Sequence, residues 1–123
     1  MLKEDNIHGV GFHLELYCYE CSYERLKNLD FLSDLFIKFF ESTGNKKIKA
    51  PYIFKHENMQ NLEKDGISGT LLFNGSLLTI HTFPGKKIAF IGFFSTISFD
   101  PAYVEDYMKK AFEAKKCELK DMF

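Results

Sequence analysis

Nowhere does this sequence run apolar for the roughly 20 residues that a membrane-spanning helix requires, and its first residues lack the basic-then-apolar pattern of a secretory signal. A cytoplasmic chain without membrane contact is the expectation. Charge of one sign is missing too: 16 Lys and Arg stand against 17 Asp and Glu, a net −1. That balance removes the electrostatic basis for nucleic-acid binding. The lysine groups (Lys46, Lys47, Lys49; Lys109, Lys110; Lys115, Lys116) are interleaved with acids and read as solvated edges. Cysteine is scarce and odd in number, three residues, which fits a reducing compartment better than a disulfide scaffold. Tryptophan, internal repeats and low-complexity linkers are all absent.

Phenylalanine is abundant instead, 14 residues with 6 Tyr in a chain of 123. Two readings stay open: an aromatic-rich core with some apolar surface, or an apolar sheet face buried against a second subunit. The length suits one domain, residues 1–123, with a single core.

Val10 to Tyr19 alternates apolar and polar, with Val10, Phe12, Leu14, Leu16 and Cys18 on one face, and predicts a half-buried strand. Asp30 to Thr43 carries Leu32, Leu35, Phe36, Phe39 and Phe40 at helical spacing, with Asp30 as its cap and Gly44 at its end. Ile48 to Lys55, interrupted by Pro51, reads as an edge or bulged strand, and His56 to Asp65 as a loop. Ile67–Phe73 and Leu77–Phe83 predict a hairpin about an Asn-Gly-Ser turn. Pro84 to Lys87 is a turn, and Ile88 to Phe94 an apolar run expected to be buried on both faces. Asp100-Pro101 opens a second helix, and Cys117 to Lys120 forms a short last strand. The fold class that follows is α+β: a two-layer sandwich of one mainly antiparallel sheet with two helices on one face.

The hairpin concentrates the chemistry. Gly66-Ile67-Ser68-Gly69, then Ser76, then Ile80-His81-Thr82-Phe83-Pro84 place two hydroxyls and an imidazole on paired strands. This pattern resembles the prokaryotic S-adenosylmethionine decarboxylase proenzyme family, whose hallmarks are Gly-Val-Ser-Gly, Glu-Ser-His, Ile-His-Thr-Trp-Pro-Glu and a later catalytic Cys. The spacing matches without a gap from Gly66 to Pro84. Gly11-Phe12-His13-Leu14 resembles the family's first strand, and Tyr107 to Lys116 its last helix, so the likeness spans nearly the whole chain.

The resemblance implies a reaction. In the family a Ser hydroxyl attacks the preceding carbonyl, and elimination from the resulting ester leaves a pyruvoyl group. That group forms a Schiff base with the substrate amine and acts as electron sink for decarboxylation, on the route to spermidine. Ser76 takes the pyruvoyl-forming position, with cleavage between Gly75 and Ser76. Ser68 and His81 take positions that assist processing. Gly75 is permissive enough for the tight turn that attack needs.

The sequence also departs from the pattern. The Glu before the processing Ser is Gly75, and the His after it is Leu77. The catalytic Cys falls on Thr96, whose hydroxyl is a poor acid at neutral pH. Among substrate-binding positions, the Trp becomes Phe83, the ribose-holding Glu becomes Gly85, and a second adenine-stacking Phe becomes Leu62.

Three functions remain: an unprocessed regulatory or binding homologue, acting as a homodimer through the sheet or its edge or with an active paralogue; a self-processing pyruvoyl decarboxylase of S-adenosylmethionine, ornithine or arginine; or an unrelated α+β binding domain. Cys18-x-x-Cys21 reads as two ordinary thiols, with half a zinc site or a redox pair as alternatives, and no metal is expected. His8 and His13 lie near it, and His13, Glu15 and Tyr17 share the polar face of the first strand, which lines a pocket or a dimer interface.

Overall fold

The computed structural model describes residues 11–57 and 64–122. Its strands are β1 (Phe12–Tyr19), β2 (Tyr52–Lys55), β3 (Ile67–Phe73), β4 (Ser76–Phe83), β5 (Ile88–Ser95) and β6 (Lys116–Met122). Its helices are α1 (Tyr23–Leu26), α2 (Leu29–Ser42) and α3 (Pro101–Ala111). The strands form one sheet in the order β2-β3-β4-β5-β1-β6, and each neighbouring pair is antiparallel.

Strand periodicity divides the sheet into two faces. Leu14, Leu16 and Cys18 of β1, Leu78 and Ile80 of β4, and Ala89, Ile91 and Phe93 of β5 are buried in one core with the apolar stripes of α2 and α3. Both long helices therefore cover the same face, and the expected two-layer α+β sandwich is the observed one. The alternate residues, among them Tyr17, His81 and Phe90, lie on the open face and are only half-buried. Ile88, Phe90 and Phe94 are part of that set. This corrects the expectation that β5 is buried on both faces, since among the described residues no layer covers its second side.

Local signals account for most boundaries. The α2 stripe of Leu32, Leu35, Phe36, Phe39 and Phe40 is buried as expected. Its cap is Asn28 rather than Asp30: Asn28 Oδ1 accepts from the Phe31 N–H at 3.0 Å. Asp30 sits in the first turn, where its charge favours the positive end of the helix dipole. At the other end, Gly44 adopts φ +91°. The Gly44 N–H then reaches the Glu41 carbonyl and the Asn45 N–H the Phe40 carbonyl, closing a Schellman motif. Asp100 caps α3 through the Ala102 N–H, with Pro101 in the first turn. The one-turn helix α1, capped by Ser22, carries no periodic signal and was not expected. Edge strand β2 begins only after Pro51, which has no N–H to give a ladder.

Asn74 and Gly75 have φ of +51° and +81°, the positive values at both central positions that a two-residue type I′ hairpin needs. Phe73 therefore pairs with Ser76 and Ser68 with His81, with no bulge between. Thr82, fully buried, accepts from the Ile67 N–H at 2.9 Å and donates to the Leu26 carbonyl at 2.7 Å, tying this hairpin to α1. No helix among the described residues is long and apolar enough to cross a membrane.

Candidate functional site

The β3–β4 hairpin carries polar side chains to two separate places. The first surrounds its tip. Ser76, the first residue of β4, pairs with Ser95, the last of β5. Its Oγ donates to Ser95 Oγ at 3.0 Å, and Ser95 Oγ accepts from the Ile97 N–H. The Thr96 N–H donates to the Gly75 carbonyl oxygen at 3.2 Å. Gly75, Ser76, Ser95 and Thr96 are thus brought together. Gly75 is required here twice over. Its φ is left-handed, and a Cβ at this position would stand 2.7 Å from Thr96 Oγ1. A side chain at 75 would be strained by this φ and would oblige the Thr96 hydroxyl to turn away.

Ser76 and Ser95 open onto a cavity of about 480 Å³ between the sheet and the two long helices, walled by Phe39, Phe40, Phe73 and Phe93. Among the described residues its lining contains neither imidazole nor thiol and holds one carboxylate, Asp100, which is engaged in capping α3.

The second place is on the open face. Ser68 and His81 are direct cross-strand partners, and Ser68 Oγ lies 2.7 Å from His81 Nδ1. His56 Nε2 reaches the same oxygen at 2.6 Å. His56, only 5% exposed, was read as a loop residue. It continues the face of Tyr52 and Phe54 just beyond β2, and extending that alternation by one step would have found it. His56 Nδ1 is buried and has no hydrogen-bond partner among the described residues. One proton arrangement avoids burying an N–H without an acceptor. His56 Nε2–H donates to Ser68, the Ser68 hydroxyl donates to His81 Nδ1, and His81 keeps its proton on Nε2.

Burial, and after it the neighbouring His56, holds His81 below the ordinary histidine value of 6.5. The folded chain thus favours neutral imidazole, while the unfolded chain takes up a proton from about pH 6.5 downward. Stability contributed by this site is fully present above that pH and is lost as pH falls below it. Urea midpoints at pH 7.5 and 5.5 are expected to show the loss, and His81→Gln to lessen the difference.

His81 also stacks on Phe90, centroids 6.0 Å apart, and Phe90 meets Tyr17 edge-on at 5.0 Å. With Phe83, Lys86 and Ile88 these rings line a shallow cup of about 370 Å³. Phe83 is thus one of the rings that line this cup. Gly85 lies beside it in a single 3-10 turn and supplies no carboxylate. Leu62 and His8 lie outside the described residues.

The two places do not meet within one chain. Ser76 and His81 are five residues apart on an unbulged strand, so they face opposite sides of the sheet. They are separated along it by roughly 17 Å at about 3.4 Å per residue. Among the described residues the Ser76 hydroxyl has a second serine for company and no base.

Elsewhere, Cys18 and Cys21 do not contact one another through sulfur: Cys21 Sγ donates to the Cys18 carbonyl at 3.4 Å. The described residues contain no group of three or more His, Cys, Asp or Glu able to hold a metal ion.

Comparison with known proteins agrees with the order of these elements. The family model described as S-adenosylmethionine decarboxylase matches residues 12–123. The chain is 27% identical over 115 residues to the S-adenosylmethionine decarboxylase proenzyme of Clostridium botulinum, covering 91% of each. It is 27% identical over 117 residues to the proenzyme of Thermococcus kodakarensis, covering 94% of this chain and 77% of that one. The crystal structure of the adenosylmethionine decarboxylase from Aquifex aeolicus superimposes with a TM-score of 0.71 at 18% identity, over 93% of this chain and 88% of the other, a likeness of fold.

Proposed function

The chain belongs to the S-adenosylmethionine decarboxylase family, and from that premise we propose that it is an uncleaved member that binds rather than decarboxylates. It acts as a regulatory or binding subunit in the cytoplasm. The observation that carries this reading is the isolation of Ser76. Among the described residues its hydroxyl meets only Ser95, while His56 and His81 stand on the opposite face of the sheet. Thr96 stands where the family's proton-donating thiol belongs, so a pyruvoyl group formed at Ser76 would lack the acid that the family's reaction uses.

Binding has better support. The cup of Tyr17, His81, Phe83 and Phe90 keeps one stacking wall for an adenine-like ring. Without a carboxylate at Gly85, its hold on a ribose is weaker by about 1–3 kcal/mol. Ile88, Phe90 and Phe94 on the open face, with exposed Tyr52, Phe54 and Leu72 toward the β2 edge, favour a homodimer or pairing with an active paralogue through this side.

Intact mass measured after prolonged incubation tests the reading: a single full-length species is expected. Two fragments split between Gly75 and Ser76, the second blocked by a ketone, would overturn it. One observation favours the self-processing alternative, the Thr96 N–H bonded to the carbonyl that Ser76 would attack. That alternative requires the two fragments, and their disappearance in Ser76→Ala.

A further inference from the structure

Outside the hairpin, the densest group of reactive side chains is sulfur. Cys18 of β1 and Cys117 of β6 are direct cross-strand partners. Their Sγ atoms lie 2.7 Å apart. Facing residues of an antiparallel pair hold their Cβ atoms about 4.5–5.5 Å apart, close to the 3.5–4.5 Å that a disulfide spans. Small backbone adjustment therefore suffices to join these two. Both are free thiols.

We propose that Cys18 and Cys117 form a redox modification site, at which a hydroperoxide oxidises Cys117 and Cys18 resolves it to a disulfide between β1 and the edge strand β6. The division of labour follows from position. Cys117 is half-exposed on the edge strand, whereas Cys18 is fully buried in the core. Only Cys117 can meet a small oxidant from solvent. Cys117 is also the sulfur that more readily loses its proton, chiefly through its hydrogen bond with Cys18, with Lys109 of α3 near; burial and Glu105 of the same helix oppose this. The same bond and burial keep Cys18 protonated.

The chemistry balances with peroxide as the two-electron oxidant. The Cys117 thiolate attacks one peroxide oxygen and the O–O bond breaks. Hydroxide leaves and takes a proton as water, and Cys117 becomes a sulfenic acid. Cys18 sulfur then attacks Cys117 sulfur, the S–O bond breaks, and the departing hydroxide takes the Cys18 proton as a second water. Two thiols lose two electrons and two protons, and one peroxide becomes two waters. Resolution within the chain outpaces further oxidation because the second sulfur is already in contact.

Cys21 is the internal control. It is buried, bonded to a carbonyl rather than to sulfur, and its thiol is pushed up to about 12, chiefly by burial. It stays a thiol.

The test uses the full chain treated with an equimolar amount of hydrogen peroxide, denatured, and alkylated with N-ethylmaleimide. The reduced chain is expected to take three adducts. The oxidised chain is expected to take one, on Cys21, with an intact mass about 2 Da lower before alkylation and full recovery with dithiothreitol. Peptide mapping should return a Cys18–Cys117 cross-link. Cys21→Ser should still form it. Cys117→Ser, a change at the half-exposed edge and the one least able to disturb the core, should take two adducts with or without peroxide. Three adducts after peroxide, a Cys18–Cys21 cross-link, or Cys117 gaining oxygen without cross-linking would each overturn the proposal. The result is independent of whether the chain is cleaved at Ser76.

Discussion

Carbon dioxide release from carboxyl-labelled S-adenosylmethionine is expected to fall at least about 10²-fold below that of relatives whose motif keeps the cysteine, the lower end of what one positioned acid or base contributes. Beyond the missing cleavage at Ser76, the loss has two independent sources. After decarboxylation the substrate carbon must be reprotonated. Thr96, exposed just beyond β5, offers a hydroxyl that holds its proton far above neutral pH, where the family has a thiol. Binding suffers separately. The resemblance places a ribose-holding carboxylate at the position of Gly85, a hydrogen bond that would be worth about 1–3 kcal/mol, and each 1.4 kcal/mol is about tenfold in affinity.

Because these terms multiply, Thr96→Cys alone is not expected to restore turnover. It supplies an acid but neither a ribose contact nor a base beside Ser76. It also puts sulfur where Thr96 Oγ1 now fits against Gly75. Measured side by side with the Clostridium botulinum relative, rates within about threefold of each other would defeat this account. Release from labelled ornithine or arginine, abolished by Ser76→Ala, would redirect it to another substrate.

Whether residues could be placed from the sequence depended on how far apart in the chain their partners lie. The hairpin was legible because Asn74-Gly75 is a local signal, and its register then fixes every partner from Phe73–Ser76 to Ser68–His81. The opposite facing of Ser76 and His81 was already contained in their odd separation. Spacing that matches a family motif hides this, since a motif records order and not direction. The α2 cap was ambiguous because Asn28 and Asp30 are both good capping residues two positions apart, and the choice rests on which oxygen reaches an unpaired N–H.

The rest depends on pairings that local patterns do not encode. His56 reaches Ser68 only because β2 pairs antiparallel with β3 across residues that carry no periodic signal. Cys18 meets Cys117 across 99 positions. Sequence spacing brings Cys18 together only with Cys21, as two ordinary thiols, and gives no sign of Cys117. The apolar run of β5 was ambiguous in another way: a strand covered on both sides by its own chain and a strand awaiting a partner are written alike.

Phe39→Ala is expected to cost about 3–5 kcal/mol, the range for deleting a buried aromatic ring, and to fall near the middle of it. Phe39 is 1% exposed on α2 and its ring sits where three elements converge. It meets Phe40 at 5.5 Å, Phe93 of β5 at 5.3 Å and Tyr107 of α3 at 5.3 Å, each nearly edge-on. Such pairs add about 0.5–1.5 kcal/mol each beyond their buried area.

One effect works the other way. Phe39 also walls the cavity beside Ser76, so the space left by its ring joins an existing opening that water can enter, and the penalty for an empty void is reduced. Loss of the three ring contacts outweighs that relief, because all three partners keep their positions on separate elements and none can follow the missing ring. Against a typical total of about 5–15 kcal/mol, the variant should be only marginally folded at 37 °C, with its urea midpoint sharply lowered. A loss below about 2 kcal/mol would mean that α2 and α3 close over the vacancy. The cavity at Ser76 would then be soft rather than preformed, and its walls could not hold a ligand in one pose.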